Sequence, residues 1–297
     1  MTKINVAIIG SGNIGMDLIY KIKRSNVLRC EWIVGRDPNS VNLNKLRKMG
    51  YQTSSDGIKT LASNPYNYDI VFDATTAQAH KAHAPILYRL GKYTIDLTPA
   101  RIGEICVPCL NGESCLNCNN INMVTCGGQA TVPLAYAISK VTPNIKYIEM
   151  VSTISSFSAG KGTRDNIDEY IHTTNSALRK FTGINNVKAM MVLNPADPPI
   201  TMRNTLYVEA DKFDVHEVYK SIVWIADRIK QYVPGYKILF EPTMLTDTIL
   251  TVSAQVEGSG DYLPRYAGNL DIITCAAIEM AEKKAREILL KEGATPF

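Results

Sequence analysis

The sequence contains no apolar run approaching the roughly 20 residues that a membrane-spanning helix needs, so we expect no membrane association. A targeting segment is also missing, because the apolar stretch 3–9 is too short for the core of a signal peptide and leads directly into glycines. There is no low-complexity segment and no internal repeat. Together these absences predict a folded cytoplasmic protein.

Long basic stretches are missing as well. The formal net charge is +4, the lysines and arginines are spread along the chain, and aromatic residues do not alternate with them. This pattern argues against a nucleic-acid partner. The 7 cysteines are an odd number in a chain without a secretion signal, which argues against a disulfide framework.

What the sequence does have, close to its start, is a glycine-rich segment. Gly10-Ser11-Gly12-Asn13-Ile14-Gly15 fits the pattern G-x-G-x-x-G, with a buried strand predicted before it and an amphipathic helix predicted after it. In that context Gly10 allows a tight turn, Gly12 lets a pyrophosphate approach, and Gly15 lets helix and strand pack closely. The segment predicts a dinucleotide-binding (Rossmann) fold; the alternative is a strand-to-helix turn without a ligand.

Cofactor choice depends on the end of the second predicted strand, 30–34. Arg36 and Asp37 follow it, about 20 residues beyond the glycines, where ribose recognition is expected. Asp37 could accept hydrogen bonds from the ribose hydroxyls of NAD, whereas Arg36 could pair with the 2′-phosphate of NADP. We favour NAD, because a carboxylate beside that phosphate would repel it; NADP stays open.

The order of predicted elements indicates two domains. Short β-rich runs alternate with helical stretches up to about residue 125, which predicts a parallel sheet with helices on both faces. Later strand-like runs have fewer helices between them, so we expect a mixed sheet there. A long amphipathic helix at 270–291 is expected to return to the first domain. The predicted fold is α/β, with a Rossmann domain of residues 1–126 completed by 268–297, and a second α/β domain of residues 127–267.

Cys126 is the most informative single residue. It follows the strand-like run 121–125 and precedes two glycines and a helix-like run, 131–140. A helix N-terminus favours thiolate over thiol, and the glycines let an oxyanion approach backbone N–H groups. A nucleophilic thiol in a chain with a hydride-accepting cofactor indicates an aldehyde oxidoreductase that works through a thioester. On this local pattern alone, a buried packing cysteine is the alternative.

The remaining cysteines and the histidines carry weaker signals. Two C-x-x-C pairs, Cys106/Cys109 and Cys115/Cys118, could bind zinc or an iron–sulfur cluster or form a redox disulfide. Their separation is shorter than that of familiar two-pair zinc sites, so we favour four thiols on and beside a surface loop, with no metal. Packing roles are predicted for Cys30 and Cys275. The histidines are predicted to lie on the surface or on helix faces: His80, His83, His172 and His216.

Longer runs of sequence resemble one family over nearly the whole chain. The run Met123-Val-Thr-Cys-Gly-Gly-Gln-Ala-Thr-Val-Pro133 resembles the nucleophile segment of acylating, coenzyme A-dependent acetaldehyde dehydrogenases, the partners of 4-hydroxy-2-oxovalerate aldolase in meta-cleavage pathways of aromatic hydrocarbon catabolism. Segments 158–169, 194–199 and 256–271 resemble other parts of the same family. As a departure from the family pattern, this chain carries additional cysteines in the loop before the nucleophile.

The resemblance implies a function and a set of site residues. It implies that Cys126 is the acylated nucleophile, that NAD and coenzyme A are co-substrates, and that the second domain carries the catalytic group and the contacts of a homodimer. It also implies a channelling complex with the aldolase. Cofactor contacts are implied at Ser11 to Ile14 and at a second set of positions: Ser158, Ala159, Gly160, Lys161, Gly162, Thr163, Arg164, Asp165, Asn166 and Asn269. Asn269 is alternatively a helix N-cap, and 158–163 a plain turn.

The expected reaction converts acetaldehyde or another short aldehyde, coenzyme A and NAD⁺ into acetyl-CoA and NADH. Asp197, among prolines, is the candidate general base, with a structural turn as the alternative. Two other functions stay open at this stage. One is a phosphorylating or semialdehyde dehydrogenase with the same layout, and the other is a non-catalytic NAD-sensing or metal-binding protein.

Overall fold

In a computed structural model, which describes residues 2–293 except for the side chain of Lys161, the chain divides into two compact units. One unit comprises the described residues up to Met123 together with those from Thr274 onward. The other comprises Val124–Ile273. Each unit has its own sheet, and the two are described separately.

The first unit is built on a sheet whose strands, among the described residues, all pair in parallel. The strands are β1 Ile4–Ile9, β2 Leu28–Val34, β3 Gln52–Ser54, β4 Ile70–Asp73, β5 Tyr93–Asp96, β6 Glu104–Ile105 and β7 Asn120–Asn122. Their spatial order is β3-β2-β1-β4-β5-β7-β6. Every residue of β4 and β5 is buried, as expected of a parallel sheet covered on both faces.

Helices connect these strands. They are α1 Asn13–Arg24, α2 Val41–Lys48, α3 Ile58–Ser63, α4 Ala77–Arg89 and α5 Pro108–Cys115. One buried cluster joins Ala7, Val34, Val71, Leu61 and Leu87, so three strands and two helices share an apolar core. Burial of such side chains is the main favourable term in folding this unit.

The second unit contains a mixed sheet. In the described chain it consists of β8 Ile145–Ser155, β9 Val187–Asn194, β10 Met202–Ala210, β11 Tyr236–Met244 and β12 Ile249–Val256. The order is β11-β12-β10-β8-β9, with β8 and β9 parallel and the other pairs antiparallel. The helices of this unit are α6 Cys126–Val141, α7 Lys161–Asp165, α8 Ile167–Thr182 and α9 Val215–Lys230.

The last helix, α10 Gly268–Lys291, begins in the second unit and continues in the first. Within the first unit it is held by polar contacts. The Ser25 hydroxyl donates to Glu282 at 2.6 Å, and the Lys284 ammonium donates to the carbonyl of Leu116 at 2.8 Å. The prediction of a C-terminal helix that returns to the Rossmann domain is therefore confirmed.

The predicted fold class is confirmed, with differences in single elements. Helix α6 begins at Cys126 itself, five residues before the predicted run, and β11 was not predicted. The strand before Cys126, β7, ends at Asn122 instead of continuing to Thr125. Within residues 2–293, no helix is both long enough and apolar enough to cross a bilayer.

Candidate active site

The glycine-rich segment has the backbone geometry of a nucleotide-binding turn. Gly10, directly after β1, has φ +112°, and a Cβ there would lie 2.5 Å from the carbonyl oxygen of Ala74. A Cβ at Gly15 would lie 2.0 Å from the carbonyl oxygen of Gly10. Larger residues are therefore excluded at both positions, because the turn and the packing of α1 against β1 leave no room.

Gly12 differs from the other two glycines. It is the N-cap of α1, no side chain bonds to the N–H groups of that cap, and a Cβ at Gly12 would meet nothing within 4 Å. The neighbours of β1 are β2 on one side and β4 on the other, so the turn lies where the strand order reverses. Open space in front of unbonded N–H groups suits a pyrophosphate. The residues present therefore fit a dinucleotide.

Asp37 lies in the loop after β2, where its side chain is exposed. Its carboxylate accepts a hydrogen bond from the backbone N–H of Asn39 at 2.9 Å. The same loop contacts the glycine-rich turn, because the Ser11 and Ser40 hydroxyls are 3.1 Å apart and the Asn42 amide donates to the carbonyl of Ser11 at 2.7 Å. The structure thus brings Ser11 close to the segment that holds Asp37. Arg36, beside Asp37, is also exposed.

A buried polar network, which the sequence did not predict, lies at the carboxyl ends of β4, β5 and β7. Asp73 ends β4, and one of its carboxylate oxygens lies 2.8 Å from Nδ1 of both His80 and His83. Burial alone would raise the pKa of Asp73, but the hydrogen bonds from the two histidines outweigh it and lower that pKa to about 2. His80 lies on helix α4 but is fully buried, so the prediction of a solvated histidine was wrong there, whereas His172 and His216 are exposed.

Asp96 extends the network along the strand ends. Its Oδ2 lies 3.5 Å from Nε2 of His80 and accepts from the Asn122 amide at 2.7 Å. Burial raises the pKa of Asp96 to about 6, although His80 and hydrogen bonds from Thr98 and Asn122 act in the opposite direction. Burial lowers the pKa of His80, but its bond to Asp73 and the charges of both aspartates produce a net increase. The imidazole of His80 therefore lies between two buried carboxyl groups, which favour its protonated form.

Cys126 is the first residue of α6. Thr125 is the N-cap, and its hydroxyl accepts from the backbone N–H of Gly128 at 2.9 Å. Val124, before the cap, has φ +61°, a value that β-branched residues rarely adopt. The Cys126 side chain is half-buried. The expected strand-to-helix junction is therefore present, and the thiol lies at the helix N-terminus itself.

Uncharged groups surround the thiol. The backbone N–H groups of Gly127 and Cys126 and the hydroxyl of Tyr170 all favour its ionised form. Burial nevertheless dominates and raises the pKa of the Cys126 thiol to about 11. The helix N-terminus does act to lower this pKa, as expected, but the expected net decrease was wrong, because desolvation exceeds the effect of the amide groups.

The second predicted set of cofactor contacts lies in one segment after β8. Ser158 and Ala159 are buried, whereas Gly160, Gly162, Arg164 and Asp165 are exposed and Thr163 and Asn166 are half-buried. Lys161 begins α7, the short helix in this segment. The guanidinium of Arg164 donates to the carbonyls of Ala159 and Ser156, at 3.0 and 3.1 Å, which closes the segment on itself.

Two further predicted residues lie elsewhere in the second unit. Asp197 is exposed in the loop between β9 and β10, whereas the thiol of Cys126 is surrounded by groups of α6 and α8. Asn269 is the second residue of α10 and is buried, and its Oδ1 has no hydrogen-bond partner among the described residues. The N-cap alternative for Asn269 was wrong, because the helix already includes Gly268.

The C-x-x-C pairs do not lie on a surface loop. Cys106, Cys109 and Cys115 are buried, with α5 beginning between the first two and ending at the third, and Cys118 is half-buried. All seven cysteines are present as thiols. Among the described residues, these sulfurs do not form a group of three or more ligand atoms close enough to share an ion. The surface-loop prediction was therefore wrong.

Comparison with known proteins gives consistent matches. Residues 126–264 match the family described as prokaryotic acetaldehyde dehydrogenase, dimerisation. The chain is 51% identical over 292 residues to the acetaldehyde dehydrogenase of Carboxydothermus hydrogenoformans, covering 98% of this chain and 97% of that protein. It is 48% identical to that of Geobacillus stearothermophilus, covering 99% of this chain and 100% of the relative.

Among solved structures, the chain is similar to an aspartate semialdehyde dehydrogenase II from Vibrio cholerae, determined in complex with ASA. The TM-score is 0.62 at 14% sequence identity, and the match covers 98% of this chain and 99% of the other. At that identity the similarity shows a shared fold and nothing about the substrate.

Proposed function

The chain belongs to the acetaldehyde dehydrogenase family, and on that premise we propose that it oxidises acetaldehyde to acetyl-CoA with NAD⁺ and coenzyme A. One observation carries the proposal. The half-buried thiol of Cys126 lies at the N-terminus of α6, with two backbone N–H groups directed at its sulfur. That is the arrangement that thioester chemistry on an aldehyde needs.

In the first half-reaction the Cys126 sulfur bonds to the carbonyl carbon of the aldehyde. The N–H of Gly128 is already used by Thr125, so the N–H groups of Cys126 and Gly127 are the donors for the new oxyanion. When bound, NAD supplies the acceptor for the hydride. Cys126 then holds the acetyl group as a thioester until the sulfur of coenzyme A attacks the carbonyl and the Cys126 thiolate leaves.

For the cofactor we propose that the turn Gly10–Gly15 holds the pyrophosphate and that Asp37 holds the ribose of NAD. The open N-terminus of α1 supports the first part. We also propose cofactor contacts from the segment 158–166 and from Asn269, whose buried Oδ1 has no hydrogen-bond partner among the described residues. Asp197 is the proposed general base, for the thiol of coenzyme A, because its carboxylate is exposed.

For partners we propose a homodimer and a complex with 4-hydroxy-2-oxovalerate aldolase. The first is supported by the match of residues 126–264 to a family described by its dimerisation. The second is supported only by the resemblance of the sequence to acylating enzymes that work with that aldolase. Acetaldehyde passed directly between the two enzymes would not be lost to solvent.

The Cys126→Ser variant tests the proposal. A serine hydroxyl is a much poorer nucleophile than a thiolate, so NADH formation from acetaldehyde and coenzyme A should fall by at least about a thousandfold, while NAD binding is retained. Cys30→Ser is the matched control, because Cys30 is also half-buried and burial raises the pKa of its thiol to about 12, yet it lies in β2.

Retained turnover in the Cys126→Ser variant would overturn the thioester mechanism. The wild-type assay also separates the nearest alternative. If inorganic phosphate supports NADH formation and coenzyme A does not, the protein is a phosphorylating dehydrogenase, and the acylating proposal is wrong.

A further inference from the structure

A buried tyrosine hydroxyl next to the nucleophile lacks an ordinary hydrogen bond. Tyr170, on α8, is 6% exposed, and its hydroxyl has no partner of normal geometry among the described residues. Leaving a buried hydroxyl unsatisfied is costly, so its position calls for an explanation. That position is closely defined: a Cβ on Gly127, the residue after Cys126, would lie 2.0 Å from the Tyr170 oxygen.

The protons of the neighbouring hydroxyls are already used. Thr174 donates to the carbonyl of Tyr170 at 2.8 Å, so in the 2.8 Å contact between the Thr125 and Thr174 hydroxyls Thr125 is the donor. Ser152 donates to the Oδ1 of Asn204 at 2.9 Å. Neither Thr125 nor Ser152 has a proton left for the tyrosine. Among these hydroxyls, the phenol of Tyr170 is thus the one whose proton has no acceptor within the described residues.

We propose that Tyr170 is a catalytic residue that donates its phenolic hydrogen bond to the Cys126 sulfur when that sulfur is a thiolate. This proposal deepens the proposed function and rests on it. A thiolate is the strongest acceptor that the cluster can offer, and hydrogen bonds to ionised groups are about twice as strong as neutral ones. The bond forms before the aldehyde binds and again when the thiolate leaves the acetyl group.

Tyr170 acts in this arrangement as a donor and not as a base. Burial, together with the neighbouring Cys126, raises the pKa of Tyr170 well above its ordinary value, so the phenol keeps its proton throughout. The proton of the Cys126 thiol passes to solvent when the thiol ionises. In the second half-reaction the sulfur leaves with the electron pair of the broken carbon–sulfur bond, and the phenol stabilises that charge.

The hydrogen bond matters because the thiol has no charged partner. The side chain that acts on it is the uncharged hydroxyl of Tyr170 from α8, together with two backbone N–H groups. Burial raises the pKa of Cys126, and only the amide groups and the phenol act in the opposite direction. Removing the phenol should therefore reduce the thiolate fraction.

The test measures the rate at which iodoacetamide alkylates Cys126 as a function of pH. No aldehyde, NAD or coenzyme A is present, and mass spectrometry of the peptide that contains Cys126 detects the product. Near neutral pH the Tyr170→Phe variant should react about tenfold more slowly, which corresponds to a pKa about one unit higher. Tyr236→Phe is the matched control, since the buried Tyr236 hydroxyl donates to the carbonyl of Ala130 on the same helix at 2.9 Å. Its alkylation profile should match that of the wild type.

A second variant guards against a Tyr170→Phe protein that does not fold. Gly127→Ala places a methyl group where the phenolic oxygen lies, and it should slow alkylation in the same direction with the tyrosine retained. In the Tyr170→Phe background the same alanine should have a much smaller effect on the alkylation profile. Wild-type profiles for Tyr170→Phe and Gly127→Ala would overturn the proposal. The alkylation assay needs no turnover. A failure of the Tyr170 proposal is therefore distinguishable from a failure of the thioester mechanism, which would appear as retained NADH formation in the Cys126→Ser variant.

Discussion

The two units bury ionisable groups in opposite ways. In the first unit the carboxyl groups of Asp73 and Asp96 are buried beside the imidazole of His80, and both favour its protonated form. In the second unit the groups that act on the thiol of Cys126 are the hydroxyl of Tyr170 and two backbone N–H groups, none with a formal charge. The pKa of Asp73 falls to about 2, whereas that of Cys126 rises to about 11.

The difference shows what each kind of neighbour can do. Hydrogen bonds to two histidines outweigh the desolvation of Asp73, whereas at Asp96, 3.5 Å from His80, and at Cys126, which has only dipoles beside it, desolvation exceeds the opposing contacts. Paired charges suit a structural network at the ends of strands. A thiol without a charged partner stays largely protonated until a ligand or solvent rearrangement changes its surroundings. We therefore expect the first unit to depend on pH for stability and the second to depend on pH for reactivity.

The largest expected effect comes from breaking the charged network. In Asp73→Ala, His80 loses its carboxylate partner inside the core, and the free energy of unfolding should fall by about 3–5 kcal/mol. Trp32 belongs to the first unit and Trp224 to the second, and the sequence has 2 tryptophans. Urea unfolding followed by fluorescence in a Trp224→Phe background therefore reports the first unit.

Glu113→Gln is the control for that experiment. Glu113 pairs with Lys283 in the same unit, but its side chain is 79% exposed, so its loss should change the free energy of unfolding by less than about 1 kcal/mol. Equal effects of the two substitutions would show that the network is not a buried ion pair.

A smaller effect concerns pH. The pKa of Asp96 is raised in the folded protein to about 6, so the stability that it contributes is present below its unfolded value and is lost as pH rises through 6. The pKa of His80 is also raised, so its contribution to stability is lost as the pH rises above its ordinary pKa. The pKa of Asp73 is lowered, so its contribution to stability is lost only in strong acid. Between about pH 4.5 and pH 8 the free energy of unfolding of the first unit should fall by on the order of 2 kcal/mol.

The Asp96→Asn variant isolates the contribution of Asp96 to this pH dependence. Its free energy of unfolding, measured through Trp32 as above, should decline less steeply over the same pH range, because the buried carboxyl no longer ionises. An unchanged slope would mean that Asp96 ionises as readily in the folded state as in the unfolded chain.

The smallest effect tests the uncharged cluster of the second unit. Thr125→Ala removes the hydroxyl that caps α6, and the free energy of unfolding should fall by about 1 kcal/mol. Thr125→Ser keeps that hydroxyl and should lose much less. Thermal unfolding followed through Trp224, in a Trp32→Phe background, measures both variants. A serine variant as unstable as the alanine variant would assign the loss to the methyl group of the threonine and not to the cap.

The sequence allowed prediction of features that depend on neighbours along the chain. The turn Gly10–Gly15 lies between β1 and α1, and Cys126 lies at the start of a helix, because strand periodicity and glycine spacing are local properties. The network around His80 could not be predicted, because its members come from β4, α4, β5 and β7. A signal did exist for Asp73, which ends both a predicted strand and β4, whereas Asp96 and Asn122 end β5 and β7 only in the structure; parallel strands place such residues at one edge.

The sequence by itself determined the α/β order of the elements, the glycine-rich turn between β1 and α1 and the place of Cys126 at the start of a helix, because these follow from spacing and residue type over short stretches. Only the tertiary structure decided how each ionisable group behaves. Burial reversed the expected shift in the pKa of Cys126, and a contact across more than forty residues placed the hydroxyl of Tyr170 beside Gly127. Desolvation and through-space contacts depend on the packed fold, and no local pattern in the chain records them.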